Sequence, residues 1–251
     1  MTLCQPFKKQ SLQPIQEIAI FELIAPDCEI VFDVGCREDI GYLNASVDPS
    51  MRFYLFEPNP IFVSRLNSKI DNATQNIIVS QLGFGREKGM VTYYPDSQSF
   101  VKRSIHFESK VSSIQFPIDT VTNFCSVNEI ENIDFLKIDV EGMELDVLLG
   151  GKDIIQKTCK YVQFEFGSTM LDAKILPEDL YCFFSNDFNL YLLKVDPGHP
   201  LFNTYKNLLT PLTELLKVEI EDSIRGAFGC NLFAIRKNLH LRTEMLSEFQ
   251  L

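Results

Sequence analysis

Short apolar runs alternate along this chain with longer amphipathic stretches, and that alternation leaves few folds open. Strands of a parallel sheet are buried on both faces and read as continuous apolar runs, and the helices that connect them supply the amphipathic stretches. The runs fall at 29–34 (EIVFDV), 52–57 (RFYLFE), 76–80 (NIIVS), 135–140 (FLKIDV), 161–166 (YVQFEF), 190–195 and 231–236. A capping helix is expected over 15–24, ahead of the first strand, and another helix after Pro58 and Pro60. Leu145, Leu148 and Leu149 share a helical face that Gly150 and Gly151 should end. Pro177 opens a helix with Leu180, Phe183 and Phe184 on one side. The segments 90–94 and 113–118 read as an antiparallel excursion, and the polar stretch 96–112 between them as a loop near the site.

Three strand ends carry chemistry. In Phe32-Asp33-Val34-Gly35-Cys36 an apolar strand runs into an acid and a glycine, where a nucleotide-type cofactor can approach the backbone and the amino end of the next helix. In Glu57-Pro58-Asn59-Pro60, about 20 residues further on, a carboxylate is placed to accept the ribose hydroxyls of an adenosine. The competing role is a helix cap by Glu57 or Asn59. In Asp139-Val140-Glu141-Gly142 two carboxylates follow a buried strand and precede a glycine turn, in the crevice where open α/β sheets bind ligands. They share a side if the strand stays extended, and either could instead cap the following helix.

DVG, YLFEPNP, SQLGFGREKGMVTYY, PIDT and FLKIDVEGMELDVLLGG, in that order over about residues 29–167, resemble the FkbM methyltransferase family. The resemblance implies a Rossmann-like α/β fold, a seven-stranded methyltransferase sheet of order 3-2-1-4-5-7-6 with the seventh strand antiparallel and helices flanking it. It implies S-adenosyl-L-methionine as methyl donor and a hydroxyl acceptor on a sugar or other small molecule. It places Asp33, Gly35 and Cys36 in the first cofactor loop, Glu57 and Pro58 at the ribose, Leu82 and Gly83 beside the adenine, and Asp139, Glu141 and Gly142 in the hallmark turn. The chain then divides into a helical extension (1–28), a cofactor-binding core (29–167) and a part that selects the acceptor (168–251). One departure is visible: the family's D-x-G-A-N-x-G becomes Asp33-Val-Gly-Cys-Arg-Glu-Asp-Ile-Gly41, two residues longer, which takes Gly41 out of expected cofactor contact.

A hydroxyl acceptor must lose its proton to a nearby base. Asp139 and Glu141 are the first candidates, Asp139 also serving the cofactor, and His106 is the second. Glu165 ends its strand and can face the same crevice, but no metal is expected.

Composition narrows the rest. A formal charge of −11 argues against nucleic-acid partners, which need a basic patch. The seven cysteines show no C-x-x-C spacing and read as reduced thiols. No run of roughly 18 apolar residues suggests a membrane span, and the first residues contain no long apolar core, so the expected address is cytoplasmic. A nicotinamide oxidoreductase would need G-x-G-x-x-G, which is missing. A non-catalytic cofactor-binding or scaffold protein stays open.

Overall fold

The computed structural model describes residues 15–46, 48–70, 76–95, 113–240 and 242–248. Five parallel strands form the centre of the main sheet: β1 (Ile30–Val34), β2 (Arg52–Phe56), β3 (Ile77–Ser80), β7 (Phe135–Ile138) and β8 (Tyr161–Phe166). β9 (Phe188–Leu193) and β11 (Cys230–Arg236) extend it, β11 lying antiparallel between β8 and β9. The resulting order β3-β2-β1-β7-β8-β11-β9 is the one the resemblance implied.

An eighth strand, β10 (Leu209–Pro211), adds to β9 at the edge. Seven strands were expected because three residues are too few to show any period. Pro211 suits this position, since an edge strand can lack a donor. The excursion is present as a separate sheet in which β6 (Ile114–Asp119) pairs antiparallel with β5 (Gly89–Tyr93) and parallel with the two-residue β4 (Gly83–Phe84).

Successive residues of a strand point to opposite faces, and the core divides accordingly. Phe32, Phe56, Leu136, Ile138 and Phe164 pack with α4 (Val121–Val127), α5 (Glu144–Gly150), α6 (Lys152–Thr158), α7 (Pro177–Phe184) and α8 (Glu214–Arg225). Val31, Phe53, Leu55, Phe135 and Phe233 pack on the other side with α1 (Ile15–Ile24), α2 (Gly41–Ala45) and α3 (Pro60–Lys69). The helices expected over 15–24, after Pro58, around Leu145 and from Pro177 are all in place. The described cysteines are free thiols, and all except Cys182 are buried. Among the described residues, no helix is long and apolar enough to cross a membrane.

A polar row crosses the α1 face of this core. Register aligns Asp33 with Lys137 and Lys137 with Gln163 across β1, β7 and β8. Lys137 Nζ lies 3.5 Å from Asp33 Oδ1, and Tyr42 OH of α2 donates to Glu17 Oε2 of α1 (2.8 Å) and lies 3.2 Å from Gln163 Oε1. The row lies just beneath the carboxyl ends of the strands, which carry the site.

Candidate active site

β1 sits where the strand order reverses, with β2 on one side and β7 on the other. Loops leaving such neighbours diverge and open a crevice. The cleft there encloses about 720 Å³, its open mouth included. Gly35, Glu57, Pro58, Leu82, Gly83, Asp139 and Glu141 all line it.

Gly35 is required by geometry. Its φ is +84°, and a Cβ there would stand 1.9 Å from the Asp139 backbone oxygen. Its N–H donates to the Phe56 carbonyl at 3.0 Å, so the turn after β1 is held against both neighbouring strand ends. Glu57 is buried, with Oε2 accepting from Arg37 N (3.1 Å) and Oε1 from Asn59 N (2.7 Å). Burial raises its pKa to about 6 against the pull of those hydrogen bonds. The helix cap falls to Asn59, whose Oδ1 accepts from Ile61 N at 3.0 Å.

The β7 turn departs from the extended geometry expected of it. β7 ends at Ile138, and Glu141 (φ 55°) and Gly142 (φ 107°) both adopt left-handed backbone. A non-glycine residue in that region costs about 1–3 kcal/mol and is held there by its surroundings. Glu144 does the holding: buried, it accepts from Val140 N (3.1 Å) and Gly142 N (3.0 Å). Neither Asp139 nor Glu141 is the cap. Burial lifts the Glu144 pKa to about 7.

Asp139 and Glu141 are joined by Glu165 from the end of β8, and ligand oxygens of the three lie within 4.8 Å of one another. One divalent cation could touch all three at that spacing. Burial, then the charges of Asp139, Glu141 and Glu144, push the Glu165 pKa well above the usual carboxylate range. Lys137 Nζ reaches Asp139 Oδ2 from below at 3.3 Å.

Two expected cofactor residues do not line the cleft. Asp33 points down the α1 face to Lys137, and burial raises its carboxyl to about 6. Cys36 is turned into the core beside α2, where its Sγ contacts the Phe56 carbonyl at 3.5 Å. In both cases the period-two direction of the strand and the fold of the turn aim the side chain away from the crevice. His106 and the loop 96–112 lie outside the described residues. Sequence reasoning missed Phe62, Tyr93 and Phe116, which give the cleft an aromatic wall; Arg37, in the lengthened loop after β1, also lines the cleft and lies 5.1 Å from the Phe62 ring centroid. The wall joins Phe62 of α3 to Tyr93 of β5 and Phe116 of β6 around one cleft, and no local pattern relates residues so far apart. Lys137 and Glu144 did leave a signal: a cation inside an otherwise apolar strand, and an acid two residues past a glycine turn.

An open parallel sheet with an acid-lined crevice at its switch point, and an antiparallel β11 inserted beside β9, defines the Rossmann-like methyltransferase class. Residues 33–186 match the methyltransferase FkbM domain, and the chain belongs to the FkbM methyltransferase family. It is 22% identical over 175 residues to 2-O-methyltransferase NoeI of Sinorhizobium fredii, covering 63% of this chain and 71% of that one. It is 26% identical over 132 residues to hexuronic acid methyltransferase AglP of Haloferax volcanii, covering 53% of this chain and 54% of that one. The crystal structure of methyltransferase FkbM from Methylobacillus flagellatus superposes with a TM-score of 0.47 at 16% identity, over 82% of this chain and 44% of that one.

Proposed function

We propose that the chain transfers a methyl group from S-adenosyl-L-methionine to a hydroxyl of a sugar-like acceptor. The observation that carries this reading is the meeting of Asp139, Glu141 and Glu165 at the edge of a cleft whose other side is aromatic. The cleft suits an adenosyl ligand on its own features. Gly35 leaves the backbone bare at the end of β1, the buried Glu57 keeps acceptor capacity for ribose hydroxyls, and Phe62, Tyr93 and Phe116 offer an apolar face to a purine. The relatives point the same way, one by its name a 2-O-methyltransferase and the other a hexuronic acid methyltransferase.

When bound, the donor supplies a methyl group on a sulfonium, an electrophile that needs no further activation. The chain's work is then alignment and proton removal, alignment alone being worth roughly 7–11 kcal/mol at best. Asp139 and Glu141 take the proton of the acceptor hydroxyl as its oxygen gains the methyl group. Glu165, half-buried beside them and with its pKa raised, favours its protonated form and in that form can donate a hydrogen bond to them.

The test is incubation with methyl-labelled S-adenosylmethionine and a panel of hydroxylated acceptors, neutral methyl glycosides and uronic acids among them. Label should appear as a methyl ether. Asp139→Asn and Glu141→Gln should lower kcat by about 10²–10⁴ while S-adenosylhomocysteine affinity changes far less. Intact S-adenosylhomocysteine binding with no transfer to any hydroxylated acceptor would identify a cofactor-binding scaffold instead.

A further inference from the structure

Beyond the carboxylates, on the side away from the aromatic wall, lies a second pocket of about 700 Å³, its open mouth included. Its walls come from parts of the chain distant in sequence: Gln16 and Glu17 of α1, Glu165 at the end of β8, Asp196 and His199 after β9, and Asn231 at the start of β11. Asn231 and Glu165 are register partners, and Asn231 Nδ2 donates to Glu17 Oε1 at 3.0 Å, which ties α1 to the sheet beside the pocket. Glu165 belongs both to this pocket and to the cluster with Asp139 and Glu141, so the two cavities adjoin at the groups assigned to proton removal.

Two polar atoms here are buried and make no complete hydrogen bond among the described residues, Gln16 Oε1 and His199 Nε2, the imidazole having only the Gly229 backbone as a polar neighbour on that side. Groups left in that condition are costly to bury unless something fills them. The His199 ring is fixed. Its Nδ1 accepts from Leu201 N at 3.1 Å, and the ring meets Phe228 at an interplanar angle of 72° with centroids 5.7 Å apart. A neutral imidazole whose Nδ1 accepts carries its proton on Nε2. Burial lowers the His199 pKa and favours that neutral form. The pocket thus presents a buried acceptor and a buried donor, the pair that a hydroxyl group satisfies with its own proton and lone pair.

Charge selects among hydroxylated ligands. Glu17 and Asp196 are acidic, whereas the ammonium of Lys194 is bound to the Phe202 and Tyr205 carbonyls at 2.6 and 2.9 Å. A carboxylate or phosphate would enter an acidic pocket whose described walls offer no free cation to meet it.

We infer that this pocket seats the acceptor, that Gln16 and His199 determine its specificity by bonding a ring hydroxyl, and that the acceptor is an uncharged sugar. The inference deepens the methyl-transfer reading and rests on it. The test uses the full chain saturated with S-adenosylhomocysteine and ligand-observed saturation-transfer NMR on methyl glucoside, methyl galactoside and methyl mannoside, each against its uronate. At least one neutral glycoside should receive saturation and its uronate should not. Gln16→Leu and His199→Asn, the latter keeping an acceptor for Leu201 N, should each weaken glycoside affinity about three- to tenfold and leave S-adenosylhomocysteine binding by calorimetry unchanged. Glycoside binding untouched in both variants, uronates bound as well as neutral sugars, or no glycoside bound by a protein that binds S-adenosylhomocysteine would overturn it. Failure to bind S-adenosylhomocysteine would instead defeat the methyl-transfer reading.

Discussion

Lys137 Nζ stands 3.3 Å from Asp139 Oδ2 and turns a buried row of the sheet into the underside of the site. The same ammonium pairs with Asp33 at 3.5 Å, and both Lys137 and Asp33 are almost wholly buried. Its pKa is driven well above the ordinary lysine value, because the charges of Asp33, Asp139 and Glu17 outweigh the cost of burial. Removing one partner of a buried pair strands the other.

Lys137→Met should therefore destabilise the protein by about 3–5 kcal/mol at neutral pH. Asp33→Asn should cost less, since Lys137 keeps Asp139. Urea denaturation of both variants checks the order, and equal losses would show that the pair with Asp33 dominates.

Glu144 makes stability depend on pH in an unusual direction. Its carboxyl titrates near 7 in the folded protein, and those of Asp33 and Glu57 near 6, against roughly 4 in an unfolded chain. Between those values the folded chain holds protons that the unfolded chain has released. This stabilisation is full below about pH 4 and is lost as pH rises through 6 to 7. A tenfold difference in proton affinity corresponds to about 1.4 kcal/mol. Glu144→Gln should flatten the fall in unfolding free energy between about pH 5 and pH 7.5; a profile parallel to wild type would place the Glu144 pKa at its ordinary value.

Gly35→Ala forces a left-handed residue and a Cβ onto the Asp139 carbonyl. The expected loss is about 3 kcal/mol or more. Gly89→Ala, where a Cβ meets nothing within 4 Å, is the control and should stay near wild type in thermal melts.

Glu57→Ala should weaken S-adenosylhomocysteine binding by about tenfold or more, the loss of hydrogen bonds to a charged group. Because Glu57 also accepts from Arg37 N and Asn59 N, the ligand-free melting temperature should fall as well. A lower melting temperature with unchanged affinity would confine Glu57 to holding the turn.

The triad of Asp139, Glu141 and Glu165 should work without a divalent ion. Burial and the charges of Asp139, Glu141 and Glu144 raise the Glu165 pKa, which favours a proton there in place of a cation. Turnover after exhaustive chelation should equal that of untreated enzyme. Loss of turnover on chelation and its return with Mg²⁺ would reassign the three acids as metal ligands.

What the sequence determined by itself lies along single strands and the turns that leave them. The runs around Val31, Phe53, Phe135 and Val162 are apolar because parallel strands are buried on both faces, and that period survives in one dimension. Gly35, Glu57 and Asp139 were legible for the same reason, each following its strand directly. The tertiary structure decided the rest, through register and side-chain direction. A period of two sent Asp33 toward Lys137 rather than the cleft, and a turn held by Glu144 replaced the extended backbone expected at Glu141. Pairing of β11 with β8 set Asn231 beside Glu165, and packing of α1 on the same face brought Gln16 and Glu17 to them. Residues so far apart in the chain share no local pattern; they meet only because burying both faces of the sheet fixes where each helix lies.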